Sequence, residues 1–182
     1  MRSDARRRRE ALLTAGEHCF REDGFNVPLE QIADRAGVGR GTLYRNFKDR
    51  DALALAIFDR QVDALKSVID LGLPFEQGLT AFVRQAASGA SLFQRIGADL
   101  LLDEPRRAAF ESLRDRLLGY LAPLVDKAHA DGALRADVGP YHVLIAASMI
   151  NGIVKPHLTA AEIDARIAEG LALLMRGMRP SA

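Results

Sequence analysis

The sequence predicts an all-α protein of about nine helices, on three observations. Apolar residues recur at three- and four-residue spacing along most of its 182 positions. No stretch alternates apolar and polar residues as a half-buried strand would. Glycine and proline fall at the intervals where helices must stop.

The first helix is expected from about Asp4 to Asp23, with Leu12, Gly16, Cys19 and Phe20 on one stripe and Gly24 as its stop. Pro28 opens a short second helix carrying Leu29, Ile32, Ala33 and Ala36 on one face. Gly37 breaks it, and Arg40 to Phe47 forms a third piece with Leu43 and Phe47 at i,i+4. Asp49 reads as the N-cap of a longer helix from Arg50 to about Ile69. Pro74 starts a fifth, with Phe75, Leu79, Phe82, Val83 and Ala86 on its inner face. Leu92, Phe93, Ile96 and Leu100 suggest a separate sixth, closed by Pro105. A long helix from about Arg106 to Ala130 buries Phe110, Leu113, Leu117, Leu121, Leu124 and Ala128, and Gly132 ends it. Asp137 is expected to cap the eighth, whose apolar run Val143 to Ile153 stops at Pro156. Thr159-Ala160-Ala161-Glu162 reads as a capping box for the last.

Composition narrows the function classes. Hydrophobic residues at 48 % and charged residues at 27 % describe a globular chain rather than a disordered one. Six per cent aromatics and no Trp argue against a β-sandwich. The single cysteine, Cys19, rules out a disulfide framework and suits a reducing cytoplasm. No apolar run approaches the roughly 18 residues of a membrane span, so no membrane partner is expected. The near balance of 25 basic and 24 acidic side chains hides a local excess. Five arginines, Arg2 and Arg6 to Arg9, lie within the first nine residues against Asp4 and no other acid. That run is either a solvated helix start or an arm touching a phosphate backbone, because cations at a helix N-terminus oppose the macrodipole unless an anion lies near.

The stretch from Leu29 to Phe47 carries the function. It is two short helices joined by a tight turn, the spacing of a helix-turn-helix. Ala33 is small where one helix must cross the other, Gly37 supplies a positive φ, and Val38 plugs the corner. With Leu43 and Phe47 inward, the positions most opposed to the core are Gly41, Thr42 and Arg45. Gly41 leaves room against a groove floor, Thr42 offers a hydroxyl and a methyl, and Arg45 can make the bidentate guanine contact. Arg40 sits at the helix start. Tyr44, Asn46, Lys48 and Arg50 are placed to hold phosphates, as are Arg7 and Arg8 on the arm reading.

Ile32-Ala33, Ala36-Gly37-Val38 and Gly41-Thr42-Leu43-Tyr44 followed by Phe47, then Arg50 and Leu53, resemble the DNA-binding domain of TetR-family transcriptional regulators over residues 8 to 55. Asn46 stands where that family often has His, Arg50 where it often has Lys, and Pro28-Leu29 replaces a Thr/Ser-rich start. The loop Gly132 to Asp137 is also similar to one before the family's penultimate helices. The resemblance implies a homodimer, usually a repressor, whose C-terminal domain binds a small molecule and dimerises. On this reading residues 1–53 form the DNA-binding domain, a linking helix runs to about 70, and 71–182 form the effector-binding and dimerisation domain. The partners are a pseudo-palindromic double-stranded operator, a second copy and a small-molecule effector.

Polar residues set among apolar ones in the C-terminal half, Ser91, Gln94, Arg95, Tyr120, Ser148 and Asn151, are candidates to orient that effector. Pro123 denies a hydrogen bond to the Gly119 carbonyl and is expected to kink its helix, which either opens space for a ligand or serves packing. The expected dimer seam is the last two helices: Val143, Ala147 and Ile150, with Ile163, Ile167, Leu171 and Leu174. Gly37 to Gly41 follows a helix, not a strand, which argues against a dinucleotide loop. The four histidines and Cys19 show no metal-ligand spacing, and no nucleophile or acid/base motif appears, so neither cofactor nor enzymatic activity is expected. The competing reading is a helical ligand- or protein-binding module that does not bind an operator.

Overall fold

The computed structural model describes residues 2–100, 104–155 and 157–180, with side chains for all of these except Arg2, residues 88–100 and Arg106. Its described residues form eight helices and no strand: α1 (Arg2–Glu22), α2 (Leu29–Arg35), α3 (Arg40–Asn46), α4 (Arg50–Lys66), α5 (Phe75–Leu100), α6 (Glu104–Ala130), α7 (Pro140–Ile153) and α8 (Ala160–Met178). Eight rather than nine arise because the fifth and sixth expected helices are one. Between them lies Ser88-Gly89-Ala90-Ser91, and a mid-helix glycine costs only about 1 kcal/mol against alanine. With no proline to remove a hydrogen bond, α5 runs on through it. Leu92, Phe93, Ile96 and Leu100, whose spacing suggested the extra helix, have side chains outside the described residues, as does Pro156.

Two compact units emerge, neither continuous in sequence. The first comprises residues 1–60 and 91–111, the second residues 61–90 and 112–182.

In the first unit α1 packs on α2 and α3, which pack on each other. Leu12, Cys19, Phe20, Ile32, Ala33, Leu43, Leu53, Ile57 and Phe58 are fully buried. Gly16 marks a close crossing: a Cβ there would stand 3.1 Å from Ile57 Cδ1 and from Leu53 Cδ2. Around that seam Arg60 of α4 donates to Glu17 at 2.7 Å and to Thr14 at 3.0 Å on α1. The Phe58 ring meets Phe110 edge-on at 6.4 Å. Asp49 caps α4 as its sequence predicts, accepting from the Ala52 N–H at 2.8 Å.

In the second unit α7 packs against α8. Here lie the residues expected at the dimer seam. Val143, Ala147 and Ile150 of α7 and Ile167 and Leu171 of α8 are buried within the chain itself, and Ile163 and Leu174 are half-buried. Gly170 allows the approach, since a Cβ there would sit 3.1 Å from Ile150 Cγ1. The straight stripe of α8 is therefore the surface on which α7 lies. What stays open is the other side of α7: Tyr141, Ile145, Met149 and Ile153, four residues apart, are each 41–59 % exposed, and Leu173 of α8 is 66 % exposed.

Caps in this unit follow local chemistry. The Thr159 hydroxyl accepts from the Glu162 N–H, while the Glu162 carboxylate accepts from the Thr159 N–H at 2.8 Å, completing the capping box. Asp137 does not cap α7. Gly139 holds that position because Pro140, with φ already helical, fills the first helical place. The Gly139 N–H donates to His142 Nδ1 at 3.0 Å, and Asp137 is taken instead by the Arg135 guanidinium. Pro123 lies inside α6 without interrupting it, on an exposed side of the helix, with open space at Gly119.

Candidate nucleic-acid interface

The reading surface is built by a turn that the backbone can make in few ways. Gly37 adopts φ +66°, the left-handed region that side chains with a Cβ avoid. The Val38 N–H reaches back to the Ala33 carbonyl at 3.0 Å, and α3 starts with Gly39 as its N-cap. Leu43 and Phe47 are buried beneath α3, so its outer face is fixed.

On that face Arg40, Gly41, Tyr44, Arg45 and Asn46 are exposed and Thr42 is half-buried. The Arg45 guanidinium donates to the Thr42 hydroxyl at 3.3 Å, a long bond that a base edge can replace. Asn46 Nδ2 donates to the Thr42 carbonyl at 2.8 Å, which leaves its Oδ1 outward as an acceptor. Nothing lies within 4 Å of a Cβ placed on Gly41. Lys48 is 84 % exposed, with Asp49 at 3.7 Å.

The arginine run belongs to the first two turns of α1 rather than to an extended arm. Arg7 donates to Asp4 at 3.1 Å between exposed side chains, and Arg8 is exposed. Arg9 is turned the other way, its guanidinium 4.9 Å from the centroid of the Phe47 ring at the end of α3. That stacking ties the start of α1 to the reading helix.

Arg50 departs from its expected place. Its guanidinium donates to the Val27 carbonyl at 2.8 Å and the Asn26 carbonyl at 3.3 Å, and lies 5.6 Å from the Phe25 ring centroid. One of its terminal nitrogens ties the loop before α2 to the start of α4.

Glu30 is the residue that motif reasoning missed. Its carboxylate accepts the Tyr44 hydroxyl at 3.1 Å, joining α2 to the outer face of α3. Its own backbone N–H, then the Tyr44 hydroxyl, hold the carboxyl below the ordinary range, and the same bond raises the Tyr44 phenol. Partners fourteen positions apart on different helices leave no periodic signal.

Three of the expected effector residues, Tyr120, Ser148 and Asn151, have described side chains. Tyr120 donates to Asp63 at 3.2 Å beneath the Lys66 ammonium, and Ser148 is exposed and bonds the Leu144 carbonyl one turn back. Asn151 alone is a buried polar residue in α7, its Oδ1 lacking a protein donor among the described residues. Ser91, Gln94 and Arg95 have side chains outside the described residues. A separate cleft of about 550 Å³ lies beside the start of α5, between Phe75, Gln77, Ala133 and Pro180 and bridged by the Glu76–Arg179 ion pair, and takes in none of the six. No three His, Cys, Asp or Glu side chains converge among the described residues, and no helix there is long and apolar enough to cross a membrane.

A short helix with an exposed, cation-bearing face, held over a glycine turn on a closed three-helix core, defines a helix-turn-helix module. Residues 12–57 match the family model described as bacterial regulatory proteins, tetR family. An HTH-type transcriptional regulator of Staphylococcus aureus is 38 % identical over 64 residues, which span 35 % of this chain and 35 % of that relative's length. The solved TetR transcriptional regulator SCO0520 of Streptomyces coelicolor is 32 % identical, with 96 % of this chain and 99 % of that one covered and a TM-score of 0.68. A TetR transcription regulatory protein of Mycobacterium vanbaalenii is 25 % identical over 98 % and 99 % of the two chains, with a TM-score of 0.63. The chain belongs to the TetR family of transcriptional regulators.

Proposed function

We propose that this chain is a homodimeric repressor that reads a pseudo-palindromic operator through α3 of each subunit and leaves it when a small-molecule effector binds the C-terminal unit. The observation that carries this reading is the outer face of α3, where Arg40, Gly41, Tyr44 and Arg45 stand exposed together over a buried Leu43 and Phe47. Arg45 supplies base-edge contact, assisted by Thr42; Arg40, Asn46, Lys48 and the α1 residues Arg7 and Arg8 hold the backbone.

One such module makes too few contacts for tight specific binding, and two-fold proteins solve this with paired half-sites. The exposed row Tyr141, Ile145, Met149 and Ile153 on α7, with Leu173 on α8, is the apolar face that a second copy covers. Asn151, a buried amide on α7, is the polar anchor for the effector. The role is non-enzymatic, and a DNA partner places the protein in the cytoplasm.

Fluorescence anisotropy on duplexes from its own upstream region tests the assignment. Arg45→Ala should cost about 1–3 kcal/mol at one base position and relax sequence preference, whereas Lys48→Ala should weaken all sequences alike and lower the salt slope by about one. Equal binding of native and scrambled duplexes by the wild type and by Arg45→Ala would refute base reading by α3.

A further inference from the structure

The hydrogen bond between Tyr44 and Glu30 places an acid on the face that a polyanion must approach. A phenol has one hydrogen to give, and an ionised carboxylate only accepts. In the free protein that hydrogen points at Glu30 Oε1, 3.1 Å away, so Tyr44 turns only lone pairs toward an incoming phosphate oxygen. Glu30 is half-buried at the start of α2, Tyr44 is 48 % exposed, and Arg40 and Arg50 are the cations whose fields reach the carboxylate. Arg50 is at the same time bonded to the Val27 carbonyl.

We propose that Glu30 sets a ceiling on DNA affinity by withholding the Tyr44 hydroxyl and opposing the phosphate backbone. Binding then requires Tyr44 to exchange a carboxylate for a phosphate, and the exchange returns little. The restraint is independent of base sequence, because it acts on the backbone. It therefore weakens random and specific sites together and leaves discrimination to Arg45. The proposal rests on the DNA-reading function above, but it is tested on any duplex.

The probe is a 30-base-pair duplex of random sequence, titrated with the full chain at several salt concentrations between 50 and 200 mM. Glu30→Gln keeps the shape and a carbonyl acceptor and removes the charge. It should bind about 3- to 10-fold tighter, with a salt slope steeper by up to about 0.9, one phosphate contact's worth. Tyr44→Phe should cost less than about twofold in the wild type and several-fold in the Glu30→Gln background, where a neutral amide carbonyl holds the hydroxyl less tightly than a carboxylate and releases it to a phosphate. Glu30→Gln that binds equally or more weakly, or that unfolds, overturns the proposal, since Glu30 would then be a clamp between α2 and α3. Equal cost of Tyr44→Phe in both backgrounds overturns it as well. A wild-type chain with no salt-dependent binding refutes the DNA-reading function itself, a result distinct from either.

Discussion

Arg50→Ala should destabilise the first unit while leaving its DNA-facing side chains in place. The guanidinium bond to the Val27 carbonyl, at 2.8 Å and half-buried, is a charge-assisted contact worth about 1.5–3 kcal/mol. The second bond, to Asn26 at 3.3 Å, is exposed and adds little. Stacking at 5.6 Å from the Phe25 ring contributes about 0.5–1 kcal/mol at such a site. Because one side chain makes all three contacts, the expected loss is about 2–3 kcal/mol rather than the full sum. Urea unfolding followed by circular dichroism reads it directly. Arg50→Lys should recover only part of the loss, since an ammonium can donate to the same carbonyls but has no planar face to lie over the Phe25 ring. Lys48→Ala is the control, and its stability should change by less than about 0.5 kcal/mol because its side chain is exposed. If Arg50→Ala melted with the wild type yet lost DNA affinity, the guanidinium would be a phosphate contact and the clamp would be wrong.

Met149→Glu should make the protein sediment as a monomer with its helical content unchanged, because that side chain is 59 % exposed in the single chain. Leu171→Glu, in contrast, puts a charge into the chain's own core and should lower the unfolding midpoint first; a stable, monomeric Leu171→Glu protein would return the seam to α8. Gly16→Val should cost about 1–3 kcal/mol by thermal melt, since even a Cβ at this crossing presses Ile57 and Leu53 at 3.1 Å. Glu162 has its carboxyl held down by the Thr159 N–H and then by the Thr159 hydroxyl, so its contribution is complete above the ordinary carboxylate range and is lost as pH falls through the lowered folded value. Glu162→Gln should accordingly melt earlier than wild type at pH 7, with the gap closing in strong acid, and a gap that persists there would exclude the charge as its cause.

Features set by neighbours three or four residues apart were legible in the sequence. Asp49 as a cap, the Thr159–Glu162 box and the glycine turn at Gly37 each need only a short stretch of chain to declare themselves. Periodicity likewise gives α3 its inner and outer faces, because a seven-residue helix with Leu43 and Phe47 inward has one orientation. It does not say what covers an apolar face. The stripe Ile167 and Leu171 reads identically whether it meets α7 or a second subunit, and it takes the Gly170–Ile150 approach to show that α7 lies on it. Asp137 and Gly139 compete for the same cap, and the choice turns on the fixed φ of Pro140. Arg50 and Glu30 escaped for another reason. Their partners lie 14 to 24 residues away on different elements, where sequence spacing carries no geometry.

Gly41 gives the molecule a capacity that its packing never uses. It lies in the first turn of α3, directly after Arg40, and its Cβ direction opens on empty space. Any of the other helix-forming residues would fit there. Every such residue would also add a new chemical group one turn from Arg45, on the face proposed above to read bases. Recognition can thus be rewritten at this position without first solving a folding problem. A library randomised at position 41 alone should yield regulators of altered target sequence with an undisturbed fold.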